Sequence, residues 1–126
     1  MSKTADLRKL IRTQLQTTSG MTYHKKAPPD AVYPYKAYTL KSVSFLEDRD
    51  DFSLEVDIWD RSPDQKRIEE LADDVEKLFT NANLPQDTIL PTFFRENRHN
   101  LDDPDKTLQH IQLLFSVQLY EINKEE

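Results

Sequence analysis

The residues able to do chemistry are few, and their spacing suits little of it. The chain has three histidines, His24, His99 and His110. None stands three or four residues from another, the helical spacing at which two imidazoles grip one zinc ion. His99 and His110 flank one predicted hairpin and so can approach each other, but solvent-facing histidines fit the pattern better. Asp30 after Pro29, together with Asp64-Gln65-Lys66, has the residue types of a restriction-type nuclease: two carboxylates for Mg²⁺ and a lysine for the attacking water. That chemistry wants the D-x-K on a strand. Here it falls in the first turn of the best-defined helix, where Asp64 complements the helix dipole. The run Glu47-Asp48-Arg49-Asp50-Asp51 has the charge of a calcium loop but neither the glycine at its sixth position nor the glutamate at its twelfth. A solvated hairpin tip is the better reading. Gly20 is the sole glycine, which excludes a glycine-rich phosphate cradle and a G-x-S-x-G nucleophile elbow. Cysteine is absent, so disulfides and thiolate metal sites are excluded too. The expectation is no catalytic group, no cofactor, no metal, and no enzyme.

The composition is consistent with that. A chain of 126 residues suits one domain, residues 1–126. With 37% hydrophobic and 32% charged residues, its core must be modest. The net charge is −6, and no basic cluster exceeds Lys25-Lys26, so gripping nucleic-acid phosphates is disfavoured. There is no apolar signal region, and no apolar run approaches the roughly 18 residues that cross a bilayer. We expect a soluble, cytoplasmic protein with no membrane partner.

The elements follow from periodicity. Leu7, Leu10, Ile11 and Leu15 mark one face of a helix over 4–18, capped by Thr4 or Ser2, with Gly20 where a left-handed residue is wanted at its end. A short strand is predicted around Tyr23. Three prolines in 26–34 then impose an extended arm. Two strands follow, 35–46 and 51–59. In the second, Phe52, Leu54, Val56 and Ile58 share one face, and Ser53, Glu55 and Asp57 the other. Trp59 falls on the polar face. The first strand changes phase after Leu40, which predicts a bulge near Lys41. Ser62-Pro63-Asp64-Gln65 reads as a capping box with proline at the first helical position. The stripe Ile68, Leu71, Ala72, Val75, Leu78 and Phe79 continues that helix to 81–83. Strands at 92–100 and 111–119 close the chain around a polar, mobile connection at 101–106. The predicted fold is α+β, in the order α-β-β-β-α-β-β, with two helices on one face of an antiparallel or mixed sheet. Tyr33, Tyr35 and Tyr38 fit either a sheet covered by its own helix or a protein interface, where tyrosine is enriched.

The whole pattern resembles a family. It includes the Tyr23-to-Pro28 segment, the Tyr33-Pro34-Tyr35 strand start and the strand Leu54-Glu55-Val56-Asp57-Ile58-Trp59-Asp60. It also includes the helix from Ile68 to Leu78 and the final Phe115-to-Tyr120 strand. It is similar to the tail-terminator, or tail-completion, proteins of long-tailed phages. The polar stretch 96–107 has no place in that pattern. The resemblance implies a protomer that closes into a ring, a hexamer, on the last ring of tail-tube protein. The ring would end tube growth, meet the head connector and let DNA pass through its lumen unbound. The location implied is the virion tail or neck, with host cytoplasm during assembly. For the subunit contact the candidates are Tyr33, Tyr35, Trp59, Arg95, Glu96 and Arg98. For a lumen- or tube-facing loop they are Glu47, Asp48, Arg49, Asp50 and Asp51. A head-closure or connector-adaptor protein, another minor virion component and a cellular interaction domain are the competing readings.

Overall fold

The structure is a computed structural model that describes residues 2–122; the outermost residues of the expected 1–126 unit lie outside that range. Helix α1 spans Lys3–Leu15, strand β1 Met21–His24, β2 Tyr35–Phe45 and β3 Asp50–Arg61. Helix α2 spans Lys66–Phe79, followed by β4 at Ala82–Asn83, β5 at Ile89–Leu101 and β6 at Leu108–Glu121. The expected α+β order is present, with the two-residue β4 added. The six strands form one sheet ordered β1-β2-β3-β6-β5-β4. Among the described residues, β1 and β2 pair in parallel and the other ladders are antiparallel.

The period-two pattern decides which face is dry. Phe52, Leu54, Val56 and Ile58 on β3 point to the same side as Ile111, Leu113, Phe115, Val117 and Leu119 on β6, and all are buried. Both helices pack there. Leu7, Leu10, Ile11 and Leu15 from α1 join Ile68, Leu71, Ala72, Val75 and Phe79 from α2 in the same core. Each fully buried side chain of this size contributes about 1.5–3 kcal/mol against the entropy of ordering it. Phe79 is the hinge of the packing, with its ring centroid 4.9 Å from Phe93 and 5.4 Å from Phe115.

Several local expectations are corrected. Ser62 and Pro63 lie outside α2 and form no capping box. The helix starts at Lys66, and the Asp64 carboxylate accepts from the Lys66 N–H at 2.9 Å. The Gln109 side chain donates to the Ser62 and Asp64 carbonyls at 3.4 and 2.9 Å, holding this turn against β6. The bulge in β2 falls at Val43, not near Lys41, because pairing shifts between Ser42 and Ser44. The strand expected at 92–100 is present and longer: β5 starts at Ile89 and pairs with β6 as far as Leu101, with its own bulge at Glu96. The remaining turn is pinned, as Asp105 accepts from the Thr107 N–H and hydroxyl and pairs with Arg61 at 2.8 Å. Nor is the acidic hairpin wholly exposed. Glu47 and Asp48 face water and Arg49 pairs with Asp51, but Asp50 is buried on the helix side, 2.6 Å from Lys3.

The turn after α1 carries the most unusual burial. Ser2 caps the helix by accepting from the Ala5 N–H at 3.1 Å. Gly20 comes five residues past the helix, with φ of +84°, and a Cβ there would stand 2.6 Å from the Pro34 carbonyl oxygen. Only glycine meets both demands. Lys36, on the dry face of β2, is fully buried and donates to the Ser19 and Gly20 carbonyls at 2.7 and 3.0 Å. Burial pushes its ammonium down from 10.5 to about 8. Between those two values the unfolded chain holds a proton that the folded chain has released, so stability gains from rising pH. We predict that wild type gains stability over Lys36→Met between about pH 8 and pH 10.5, by at most about 1.4 kcal/mol per pH unit. Urea denaturation across that range measures it, and parallel curves for the two proteins would refute it.

Candidate interaction surface

Among the described residues, one whole face of the sheet carries no helix. Along β3 it presents Asp51, Ser53, Glu55, Asp57 and Trp59, half-buried by their neighbours. Along β6 it presents His110, Gln112, Leu114, Ser116 and Gln118. Register places Trp59 opposite His110 and Asp57 opposite Gln112. Of the residues singled out from the sequence, this face carries Trp59, Asp51 and Tyr35.

His110 is not a solvent-facing histidine. Its ring stacks on the single tryptophan, Trp59, with centroids 3.6 Å apart, and its Nε2 lies 2.6 Å from Asp57 Oδ1. Burial pushes the Asp57 carboxyl up, but hydrogen bonds with His110 and Glu55 outweigh it and hold Asp57 below the usual range. Glu55 moves the other way, raised by its hydrogen bond with Asp57 and then by burial. The two titrate as a pair in which one holds the shared proton more tightly. His99 sits two residues along β5 from Leu101, the residue opposite His110, so the two histidines are diagonal and do not face each other. Among the described residues no cluster of three or more histidines and carboxylates is placed to hold a metal ion.

The tyrosines divide between the two readings open for them. Tyr38 faces the helices and is buried, with its ring centroid 5.1 Å from His24. Tyr33 and Tyr35 lie at the open face. Tyr35 meets Tyr33 at 5.4 Å and Tyr23 edge-on at 5.8 Å, and the Arg61 guanidinium lies over Tyr33. Arg95 and Arg98 point to the helix side, because the Glu96 bulge restores the phase between them. Arg95 pairs with Glu76 at 2.8 Å, and Arg98 with Asp73 and Glu76 at 2.7 Å. They tie α2 to β5, while Glu96 itself is exposed.

Sequence reasoning missed two surface features. Met21, Val32, Val43, Phe45 and Leu46 are all more than half exposed and all lie on β1, β2 or the segments beside them. Val43, Phe45 and Leu46 group at one end of β2, while Met21 stands beside Tyr35 at the other; exposed apolar residues that group together mark an interaction site more often than scattered ones. For Val43 and Phe45 the signal was the phase change in β2. The second is a concavity of about 580 Å³, an open groove between α1 and residues 85–88. It is lined by Asp6, Lys9, Leu10 and Asp87 among others, with no histidine.

The Asp57 arrangement has a pH signature. A carboxylate held low contributes stability above the unfolded value, and that contribution fades as pH falls through the folded one. We predict that Asp57→Asn costs about 1–3 kcal/mol near pH 6, and that the cost shrinks below pH 4. A constant difference down to pH 3 in chemical denaturation would refute it.

Comparison with known proteins gives this surface a context. The model of the family described as tail completion protein gp17 matches residues 5–120, which takes in both helices and nearly all of the sheet. No curated protein matches the chain. Among solved structures, a chain from the virion of a native gene transfer agent particle is 10% identical with a TM-score of 0.64. That match covers 88% of this chain and 84% of the other. A second solved chain is 13% identical with a TM-score of 0.70, covering 100% of this chain and 99% of the other. At such identities these two likenesses are of fold. The family match spans almost the entire described chain, and the protein belongs to the tail completion protein gp17 family, as a structural component of a phage-type tail.

Proposed function

We propose that the protein assembles into a ring that caps the tail tube, ends its growth and joins the tail to the head, with DNA passing through the lumen. The observation that carries this is the one-sided layering within a tail-completion family member. Two helices complete one face of the sheet, and the other keeps half-buried aromatic and polar groups to offer to neighbours. Tyr33, Tyr35 and Trp59 on that face, with Arg95, Glu96 and Arg98 at the far strand, are the proposed subunit contact. Tyrosine and tryptophan bury area there while keeping a polar end wet. The hairpin at 47–51 is the proposed lumen- or tube-facing rim, through Glu47 and Asp48, since Asp50 is turned inward. The net charge of −6 suits a passage in which DNA slides, because phosphates find no excess of cations to hold them. A heterologous contact repeated around an axis closes a ring when the rotation allows.

The partners proposed are the chain itself as a hexamer, the tail-tube protein below and the head connector above. Light scattering across a concentration series, with negative-stain images, tests self-assembly. Co-sedimentation with purified tail tubes tests the station. The expected result is a ring of about six subunits, formed free or on the tube end, with tubes of fixed length. Binding to a portal or adaptor protein and not to tubes would move the chain to head closure.

A further inference from the structure

We propose that the bare edge of β2 in one copy pairs antiparallel with the bare edge of β5 in the next, making a half-lap joint between sheets. The proposal rests on the ring reading above; it keeps Arg95, Glu96 and Arg98 in the contact and leaves Tyr33, Tyr35 and Trp59 outside it.

Strand β1 covers β2 only over Tyr35–Tyr38. The Lys25 N–H still donates to the Tyr38 carbonyl, after which Lys26 turns back onto His24. From Thr39 to Phe45 the outer side of β2 has no strand beside it among the described residues. On the far side, β4 covers only Thr92 and Phe93, which leaves the outer side of Phe94–Leu101 of β5 without a strand beside it among the described residues. The two bare stretches are of nearly equal length. They lie on opposite sides of one sheet and toward opposite ends of it. Because β2 and β5 are three antiparallel steps apart, the β5 of a second copy meets β2 in the antiparallel sense.

The faces match as well. With Leu101 of the second copy abutting the end of β1, it stands opposite Thr39. Lys41 then faces His99, Ser42 faces Arg98, Ser44 faces Asn97 and Phe45 faces Arg95. Thr39, Lys41 and Ser44 belong to the open face, as do Leu101, His99 and Asn97. Leu40, Ser42 and Phe45 belong to the helix face, as do Asn100, Arg98 and Arg95. The phase survives the full length because each strand has one bulge at the corresponding place, Val43 and Glu96. A slip of one residue would turn every side chain to the wrong face. Strands β1 and β4 fill the halves that the neighbour leaves empty.

Each bare edge alone is a liability, a row of unpaired N–H and C=O groups open to any strand. Val43, Phe45 and Leu46, exposed beside one of them, add apolar area that the joint would cover. Strand addition supplies backbone hydrogen bonds without demanding special side chains. The joint is head-to-tail, the class of contact that closes rings.

Cysteine pairing tests it in a chain that has none of its own. In Lys41→Cys with His99→Cys, the two thiols within one chain are separated by at least roughly 14 Å, beyond the roughly 7 Å that a disulfide spans. Any bond must therefore join copies. The assembled form, free or on tail tubes, is oxidised and run on a denaturing, non-reducing gel. The expected result is a ladder to the closed ring with most of the monomer band lost. Lys41→Cys with Asn100→Cys, on opposite faces, stays monomeric. Ser44→Cys with Asn97→Cys is a second in-register pair should the first fail to assemble. An assembly intact by light scattering whose in-register pairs stay monomeric on the gel would overturn the joint while leaving the ring. Equal ladders from in-register and off-register pairs would overturn it too. No assembly of the wild type, free or on tubes, would overturn the ring reading and the joint together.

Discussion

Both helices are anchored to one strand at its two ends, and the rest of the architecture depends on that anchoring. The inward positions of β3 run from Asp50 through Phe52, Leu54, Val56 and Ile58 to Asp60. The apolar residues between the two aspartates give the helices a surface to cover but do not say where along it they should sit. The carboxylates do. A buried carboxylate is tolerated only with a partner, and each finds one on a different helix. Asp50 takes Lys3 from α1, and Asp60 takes Arg67 from α2, whose Nε donates at 2.8 Å. Replacing such pairs by apolar residues is often neutral for stability; their effect here is on position. Glu76, paired with Arg95 and Arg98, extends the same logic to β5.

With the helices placed on one side, the other face of the sheet is left to its own side chains. It meets the problem locally. Trp59 stacks on His110, His110 contacts Asp57, and Asp57 is coupled to Glu55. None of these contacts needs a second layer, so the face is ordered without being covered. A tail component must be stable before it meets its neighbours and still have surface to give them, and this layering provides both. The two incomplete sheet edges belong to the same design, since a longer β1 or β4 would have closed them within the chain.

Much of this was legible in one dimension. The alternation in β3 and β6 identified the dry face residue by residue, and the stripe in α2 was read correctly as far as Phe79. Where the reading failed, a local rule was overridden by a distant group. Ser62 and Pro63 have the chemistry of a helix start, but Gln109 on β6 holds the carbonyls of that turn and the helix begins later, with the Asp64 carboxylate accepting from the Lys66 N–H. Asp50 looked like hairpin charge, yet its parity with Phe52 and Leu54 already placed it inward; Lys3, far away in sequence, makes that affordable. Lys36 has the same inward parity, two residues before Tyr38, and finds its partners in the distant Ser19 and Gly20 carbonyls.

The sequence by itself determined the fold class, the order of the elements and which side chains share a face, because those depend on periodicities that short-range geometry imposes. The family resemblance was legible for the same reason, being carried by the order of those patterned segments. Only the tertiary structure decided what the polar residues do. That His110 meets Trp59, that Arg98 pairs with Glu76, and where each bulge falls depend on strand pairing and helix docking across many intervening residues. Polar groups take whichever partner the fold brings within hydrogen-bond reach, and that partner is not encoded in their neighbours along the chain.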